Sequence, residues 1–368
     1  MIILHVVEPF AAGIAVFVKS LTETMPDDTH IILHGERKEE IAASEIKKLF
    51  PKKNVRFIRW QSAQRSINPF KDFLAFQELY RTVKRLKQRK LLDAVHLHSS
   101  KSGLLGRAAC RLAGVTNVIY TPNGAPFLSG SNGVANYIYR QLERIGHGMG
   151  GEVICCSASE LEEYKKIGIP GSFINNGILM KPVQAQSEKK GNKFRVLTSG
   201  RIVAQKNPEM FNRIASYFEQ FEQFEFVWVG DGDDRAALVA SNIRVTGWLT
   251  TEGVKKEVEN ADLYISTSNY EGLSFAILEA LSLHKPVLLS KCVGNRNIIK
   301  SGLNGDYFNN ASEAIIKVMH YANNPAMLPI MGQFSQEICA NEFDSIHNFA
   351  GYRQRYGRNF PPSVPNAL

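Results

Sequence analysis

ADLYISTSNYEGLSFAILEALSLHKPVLLS, residues 261–290, decides the fold. Ala261–Ser266 is short and apolar, as a strand buried on both faces is. A polar turn follows, and the spacing predicts a helix from Phe275 to about Leu283. Pro286–Ser290 then reads as a further strand. Strand, helix and strand in this order imply a parallel sheet covered by helices. Gly272 lets the backbone turn tightly, and Ser274 stands where an N-cap is needed. Backbone N–H groups and the dipole at such a helix start suit a diphosphate. Glu271 lies in the loop before the helix and Glu279 on its second turn. One acid can therefore reach a sugar beyond the phosphates, and the other a ribose hydroxyl on the opposite side.

Outward from this stretch the alternation repeats. Phe194–Ser199, Phe224–Val229 and Ile243–Thr246 read as strands, and the first two end in Gly200-Arg201 and Gly230-Asp231-Gly232. Lys206 follows Arg201 by five residues in SGRIVAQKNPE. Arg201 offers a fork and Lys206 a point charge as countercharge to a diphosphate. Lys181–Lys193 is a polar segment and reads as a linker. Before it, Ile2–Val7, His30–Leu33, Val55–Arg59, Ala94–His98, Val118–Thr121, Val153–Ser157 and Ser172–Ile174 read as strands. Phe73–Leu91 reads as an amphipathic helix with Phe73, Phe76, Leu79, Val83 and Leu86 on one face. The expectation is two α/β domains with a cleft between them, residues 1–180 and 181–345. Ligands of open α/β sheets bind at the carboxyl ends of the strands.

The 368 residues are 44% hydrophobic and 21% charged, an ordinary globular balance that agrees with two domains. No apolar run approaches the roughly 20 residues of a membrane span. Met1–Val7 is too short and wrongly flanked for a signal peptide, and reads as a buried strand. The five cysteines (Cys110, Cys155, Cys156, Cys292 and Cys339) contain no CxxC pair, so a reduced, cytoplasmic protein is expected. The net charge of +9 is uneven: residues 1–180 hold 24 basic against 16 acidic residues, and the remainder 20 against 19. The basic first half suits an anionic membrane surface or a lipid phosphate as well as it suits a solvated helix face. Nucleic acid is disfavoured, since no recognition motif accompanies the charge. His96 and His98 share a strand face, but the sequence offers no third ligand near them, so no metal site is expected.

Together these segments resemble the retaining GT-B glycosyltransferases, especially glycosyltransferase family 4. EGLSFAILEA is similar to that family's E-x7-E element, SGRIVAQKNPE to its GR-x4-K motif and VGDG to its strand–turn signature. TGWLTTEGVKKEVENADLYISTS and CVGNRNIIKSGLNGDYF resemble the blocks on either side of the glutamates. DAVHLHSSKSGLLGRAAC, YTPNGAPFL and GEVICCSASELEEYKKIGIP resemble blocks of the first domain. FDSIHNFAGYRQRYG resembles the terminal helix, residues 346–368, which in the family crosses back to that domain.

The resemblance implies two Rossmann-like domains facing each other across a cleft, the first for the acceptor and the second for a nucleoside-diphosphate sugar. It gives Glu271 the transferred sugar, Glu279 the ribose, and Arg201 and Lys206 the diphosphate and the leaving-group charge. Gly230, Gly272, Leu273, Ser274 and Phe275 would line the donor, and Trp248 stands near the place of the base. Gly13 remains of a Gly-Gly turn whose first glycine is here Ala12. His98, Asn123 and Gly124 would face acceptor or sugar, with Asn123 where many relatives carry histidine; an amide is no general base near neutral pH. Neither metal nor cofactor is implied. The expected reaction passes a hexose or amino sugar, with retention, to a glycan or lipid-linked acceptor in surface polysaccharide assembly, at the inner face of a membrane. A nucleotide-sugar sensor without turnover and a GT-B epimerase remain alternatives on the same scaffold.

Overall fold

The computed structural model describes residues 1–36, 43–64, 68–129, 133–180 and 192–357. The chain divides into two compact units: Met1–Gly177 with the segment from Ser345, and Ile178–Asp344.

The first unit holds strands β1 (Ile2–Val7), β2 (Thr29–His34), β3 (Val55–Arg59), β4 (Ala94–His98), β5 (Val118–Thr121), β6 (Glu152–Cys155) and β7 (Ser172–Phe173). Its helices are α1 (Ala12–Thr24), α2 (Ala43–Lys48), α3 (Pro69–Gln88), α4 (Ser100–Ala113), α5 (Gly133–Gly148) and α6 (Ala158–Lys166). All seven strands are parallel, in the order β3-β2-β1-β4-β5-β6-β7. β1 and β4 sit at the centre and are buried almost throughout, as strands covered on both faces must be. The reversal of strand order at β1 places a topological switch point between β1 and β4.

The second unit holds β8 (Phe194–Ser199), β9 (Phe224–Val229), β10 (Ile243–Val245), β11 (Leu263–Ser266), β12 (Val287–Ser290) and β13 (Gly305–Phe308), parallel in the order β10-β9-β8-β11-β12-β13. Helices α7 (Pro208–Tyr217), α8 (Thr251–Glu259), α9 (Phe275–Ser282), α10 (Ala311–Asn323) and α11 (Met327–Glu342) cover it. β13 escaped the sequence reading because GDYF carries only two large apolar residues. Gly305 is required there, since a Cβ would collide with the Val287 carbonyl of the neighbouring strand.

The last helix, α12 (Ser345–Tyr356), packs on α1 in the first unit. Phe349 and Tyr352 meet Phe17 edge-on, and the Tyr356 hydroxyl lies 2.6 Å from His96 Nδ1.

One helix face departs from expectation. Ala75, Leu79, Val83 and Leu86 form the buried face of α3, whereas Phe73 is exposed. The side chain of Asn68 accepts from Lys71 N, so the helix begins at Pro69, four residues earlier than expected. Phe73 lies about 120° round the helix from Leu79, outside the buried face.

Candidate active site

In the second unit, β9, β8 and β11 are neighbours, so the loops leaving their carboxyl ends lie side by side. Backbone contacts lock them. Ile202 N donates to Asp231 O at 2.9 Å, Asn269 N to Gln205 O at 2.8 Å, and Thr267 Oγ1 to Lys206 O at 2.7 Å. Gly230, at φ 140°, lies so close to the loop after β8 that a Cβ would strike the Gly200 carbonyl. That carbonyl also accepts from Trp228 Nε1.

The loop after β11 brings Glu271 to this rim. Its carboxylate is buried and its Oε1 accepts from Lys206 Nζ and from Ser268 Oγ, each at 2.6 Å. Its backbone N–H is tied to Val293 O, and Gly294 packs so closely on Glu271 that a Cβ would not fit. Burial works against the Lys206 ammonium, but the adjoining carboxylate outweighs it and raises the pKa above the ordinary lysine value. One of the three ammonium N–H groups is spent on Glu271. Arg201, half-buried, follows Gly200 in the same loop.

Gly272, Leu273, Ser274 and Phe275 are buried and lead into α9. Ser274 occupies the N-cap position with extended backbone, but its side chain makes no capping bond, contrary to expectation. The turn is held by Glu271 and the β12 loop instead. One turn on, Glu279 carries a carboxyl that desolvation pushes up to about 7, although part of the side chain reaches the surface. Gly230 also bridges to Gly247, next to Trp248, which is 53% exposed. An exposed indole beside a strand-end turn is free to stack on a planar ligand.

In the first unit, His98 ends β4 and Thr121 ends β5. Asn123 and Gly124 follow with positive φ, 57° and 107°. The Asn123 side chain is turned back, its Nδ2 donating to Thr121 O and its Oδ1 accepting from Cys156 Sγ. Beneath the turn lies a carboxylate that the sequence reading passed over, Glu160. Its oxygens accept from Gly124 N and Cys156 N, each at 2.8 Å, and burial pushes its pKa up to about 7. The signal was present in Ser157-Ala158-Ser159-Glu160, a capping-box spacing. Ser157 does cap α6 by accepting from Glu160 N, but the glutamate reaches across to the next loop. Gly13 is exposed in the first turn of α1.

The expectation that no third ligand lies near His96 and His98 is corrected by the structure. Parallel pairing sets His5 of β1 opposite His96, and ring nitrogens of His5, His96 and His98 lie within 4.8 Å of one another. Pairing between strands 90 residues apart is invisible in local spacing. Protein partners occupy these nitrogens except His98 Nδ1, which is buried without a hydrogen-bond partner among the described residues. His30 Nε2 lies 3.2 Å from Met25 O, His30 Nδ1 2.9 Å from His5 Nε2, and His5 Nδ1 3.1 Å from His98 Nε2. Because a carbonyl only accepts, His30, His5 and His98 each donate through Nε2, and Nδ1 of His30 and of His5 accepts. His96 is held between Tyr356 and Thr121. Burial lowers the pKa of all four rings, that of His98 to about 3. His98 is itself fully buried.

The rim of the second unit therefore presents an acid, two cations and a helix start on one strand edge. Residues 193–322 match the family described as glycosyl transferases group 1, and residues 11–179 match glycosyltransferase family 4. The chain belongs to this glycosyltransferase family. A galactosyltransferase of Escherichia coli, UDP-Gal:alpha-D-GlcNAc-diphosphoundecaprenol alpha-1,3-galactosyltransferase, is 28% identical over 77% of this chain and 78% of that one. Among solved structures, sucrose-phosphate synthase from Thermosynechococcus elongatus superposes with a TM-score of 0.79 at 17% identity, covering 97% of this chain and 98% of that one. An Anabaena protein, HepE, solved with UDP and glucose, gives 0.75 at 15% identity over 97% and 100%. The fold of the glycosyltransferase is thus GT-B, and its reaction is the transfer of a sugar from an activated donor to an acceptor.

Proposed function

We propose that this glycosyltransferase moves a hexose or amino sugar from a nucleoside diphosphate to a lipid-linked acceptor, with retention, in surface polysaccharide assembly. The observation that carries the reading is the Lys206–Glu271 pair beside the start of α9. Glu271 holds hydroxyls of the sugar, while Arg201 and Lys206 face the diphosphate. Glu279 takes the ribose and Trp248 the base. As the bond from the anomeric carbon to the phosphate oxygen breaks, negative charge develops on the diphosphate. Fixed cations stabilise it without reorganisation. The acceptor oxygen bonds to the same carbon, and its proton passes to the leaving phosphate oxygen. No protein base is needed, which agrees with an amide at Asn123. The Escherichia coli relative is named for a diphosphoundecaprenol-linked acceptor, and the basic first unit suits such a lipid at a cytoplasmic membrane face. Among the described residues no helix is long and apolar enough to cross a membrane, so contact would be peripheral.

In this reading two side-chain cations and a helix start stand where other transferases use a divalent ion, so turnover proceeds unchanged in EDTA. A thermal-shift screen against common nucleotide sugars, followed by transfer to a prenyl-diphosphate glycan, tests the proposal. A donor at 100 times its Kd adds about 2.7 kcal/mol of stability. Absence of a shift with every nucleotide sugar would overturn it, as would nucleotide-sugar conversion without an acceptor.

A further inference from the structure

The outer surface of the first unit carries aromatic and aliphatic side chains that the fold does not use. On α3, Phe70, Phe73 and Leu74 are exposed, and on α5 so are Tyr137, Ile138 and Ile145; their exposures run from 40% to 72%. Within each helix these residues fall within about 100° of arc, on the side away from the buried residues. The α3 stripe continues through Gln77 to Arg81, Lys84 and Arg85, so it is apolar at its start and cationic about 22 Å further on.

The topology puts the two stripes on one side of the molecule. β3, β4, β5 and β6 are joined by right-handed crossovers, so α3, α4 and α5 lie on the same face of the sheet. α4 packs between the other two. α3 and α5 start beyond the carboxyl ends of β3 and β5. Phe70, Phe73 and Leu74 of α3, with Tyr137 and Ile138 of α5, therefore lie towards the edge that also carries Asn123 and Gly124, and Ile145 lies about 10 Å further along α5.

The charges on α3 are not mutually compensated. Asp72 accepts from Asn68 N at 3.0 Å and pairs with Lys101 at 2.8 Å; Glu78 accepts from Gln61 N and Ser62 N, each at 2.9 Å. Both acids are engaged elsewhere, and among the described residues Lys71, Arg81 and Arg85 form no ion pair. An isologous contact with a second copy would bring such cations together, a costly arrangement. An anionic bilayer answers both features at once. Aromatic and branched side chains enter the headgroup boundary, and the cations meet lipid phosphates.

We propose that the outward stripes of α3 and α5 form one docking surface for an anionic bilayer, which presents the carboxyl edge of the first sheet to the lipid-borne acceptor. The proposal rests on the lipid-acceptor reading above and gives it a place on the molecule.

Cosedimentation of the full chain with phosphatidylcholine vesicles, with and without 30% phosphatidylglycerol, tests it. Three triple variants are compared with wild type: Phe70→Ser/Phe73→Ser/Leu74→Ser, Tyr137→Ser/Ile138→Ser/Ile145→Ser and Arg81→Glu/Lys84→Glu/Arg85→Glu. The expected result is binding that needs phosphatidylglycerol, weakens with salt and falls at least tenfold in each variant. Unchanged thermal unfolding of the variants, which alter only exposed side chains, shows that folding is intact. Transfer to a short-chain, water-soluble acceptor should survive in all three, whereas transfer to vesicle-borne acceptor should fall. Binding by wild type that survives all three variants would overturn the surface. So would a wild type that ignores anionic vesicles and instead sediments as a dimer broken by the serine variants. Loss of transfer even to the soluble acceptor in wild type would instead strike the functional reading, leaving vesicle binding as a separate result.

Discussion

At the scale of single residues, two carboxyl groups have pKa values pushed up to about 7 by burial, and they make different predictions. Glu279 is placed to accept from ribose hydroxyls, and only its charged form accepts through both oxygens without holding a proton. Below about pH 7 the free protein protonates it, so nucleotide should bind more weakly at pH 6 than at pH 8. Calorimetric titration should show that Glu279→Gln binds more weakly and loses this pH dependence. Glu160 holds the turn of Asn123 and Gly124 from beneath. In Glu160→Gln one of the two N–H groups at Gly124 and Cys156 faces an amide donor, and the loss should be about 1–3 kcal/mol in urea unfolding. Glu271, Lys206 and Glu279 could be singled out from the sequence because motif and strand end coincide. Glu160 and His5 could not, because Gly124 and His98, which they meet, lie in other segments.

At the scale of elements, strands buried on both faces announce themselves as continuous apolar runs, and β1, β4, β8 and β11 were legible for that reason. β13 was not, since half its residues are Gly and Asp. On α3 the start was misplaced because Asn68 caps the helix at Pro69, and Phe73 was misassigned because it lies about 120° round the helix from Leu79. The turn from β9 is the element on which the donor rim most depends. Gly230 combines a positive φ with backbone contact to Gly200. Gly230→Ala should therefore cost more than the few tenths to about 1 kcal/mol of an ordinary glycine exchange. Thermal unfolding measures that cost, and weaker nucleotide binding should accompany it.

At the scale of the whole molecule, the histidine network beneath α12 links β1, β2, β4 and the chain's last described helix. Four imidazoles with lowered pKa values are neutral in the folded protein but take up protons when it unfolds near or below pH 6.5. Each such ring adds stability that is fully present above about pH 6.5. That stability is lost as pH falls, by about 1.4 kcal/mol per unit while only the unfolded chain is charged. Glu160 and Glu279 act oppositely between about pH 4.5 and 7, because the folded protein holds their protons more tightly. Glu143 shifts with these two acids, and His34 and His284 shift with the four rings, so six imidazoles against three acids leave a net loss on acidification, and Tm should fall from pH 7 to pH 5. A Tm that rises over this range would contradict a neutral network. Both sheets were legible along the chain, while the segment read as a linker, Lys181–Lys193, lies outside the described residues up to residue 191. Convergence of four histidines from three strands was not, because it depends on which strands become neighbours.

The central claim is that Lys206 and Glu271 form the reacting grip on a nucleotide sugar. It is tested most directly by the rate of sugar transfer in wild type, Lys206→Ala and Glu271→Gln at saturating donor, with nucleotide binding measured on the same samples. The account predicts that each substitution lowers the rate by about 10²–10³-fold, the loss seen when one preorganised charge-stabilising group is removed. Nucleotide binding should persist, because α9 and Glu279 remain. Transfer at the wild-type rate in either variant would contradict it.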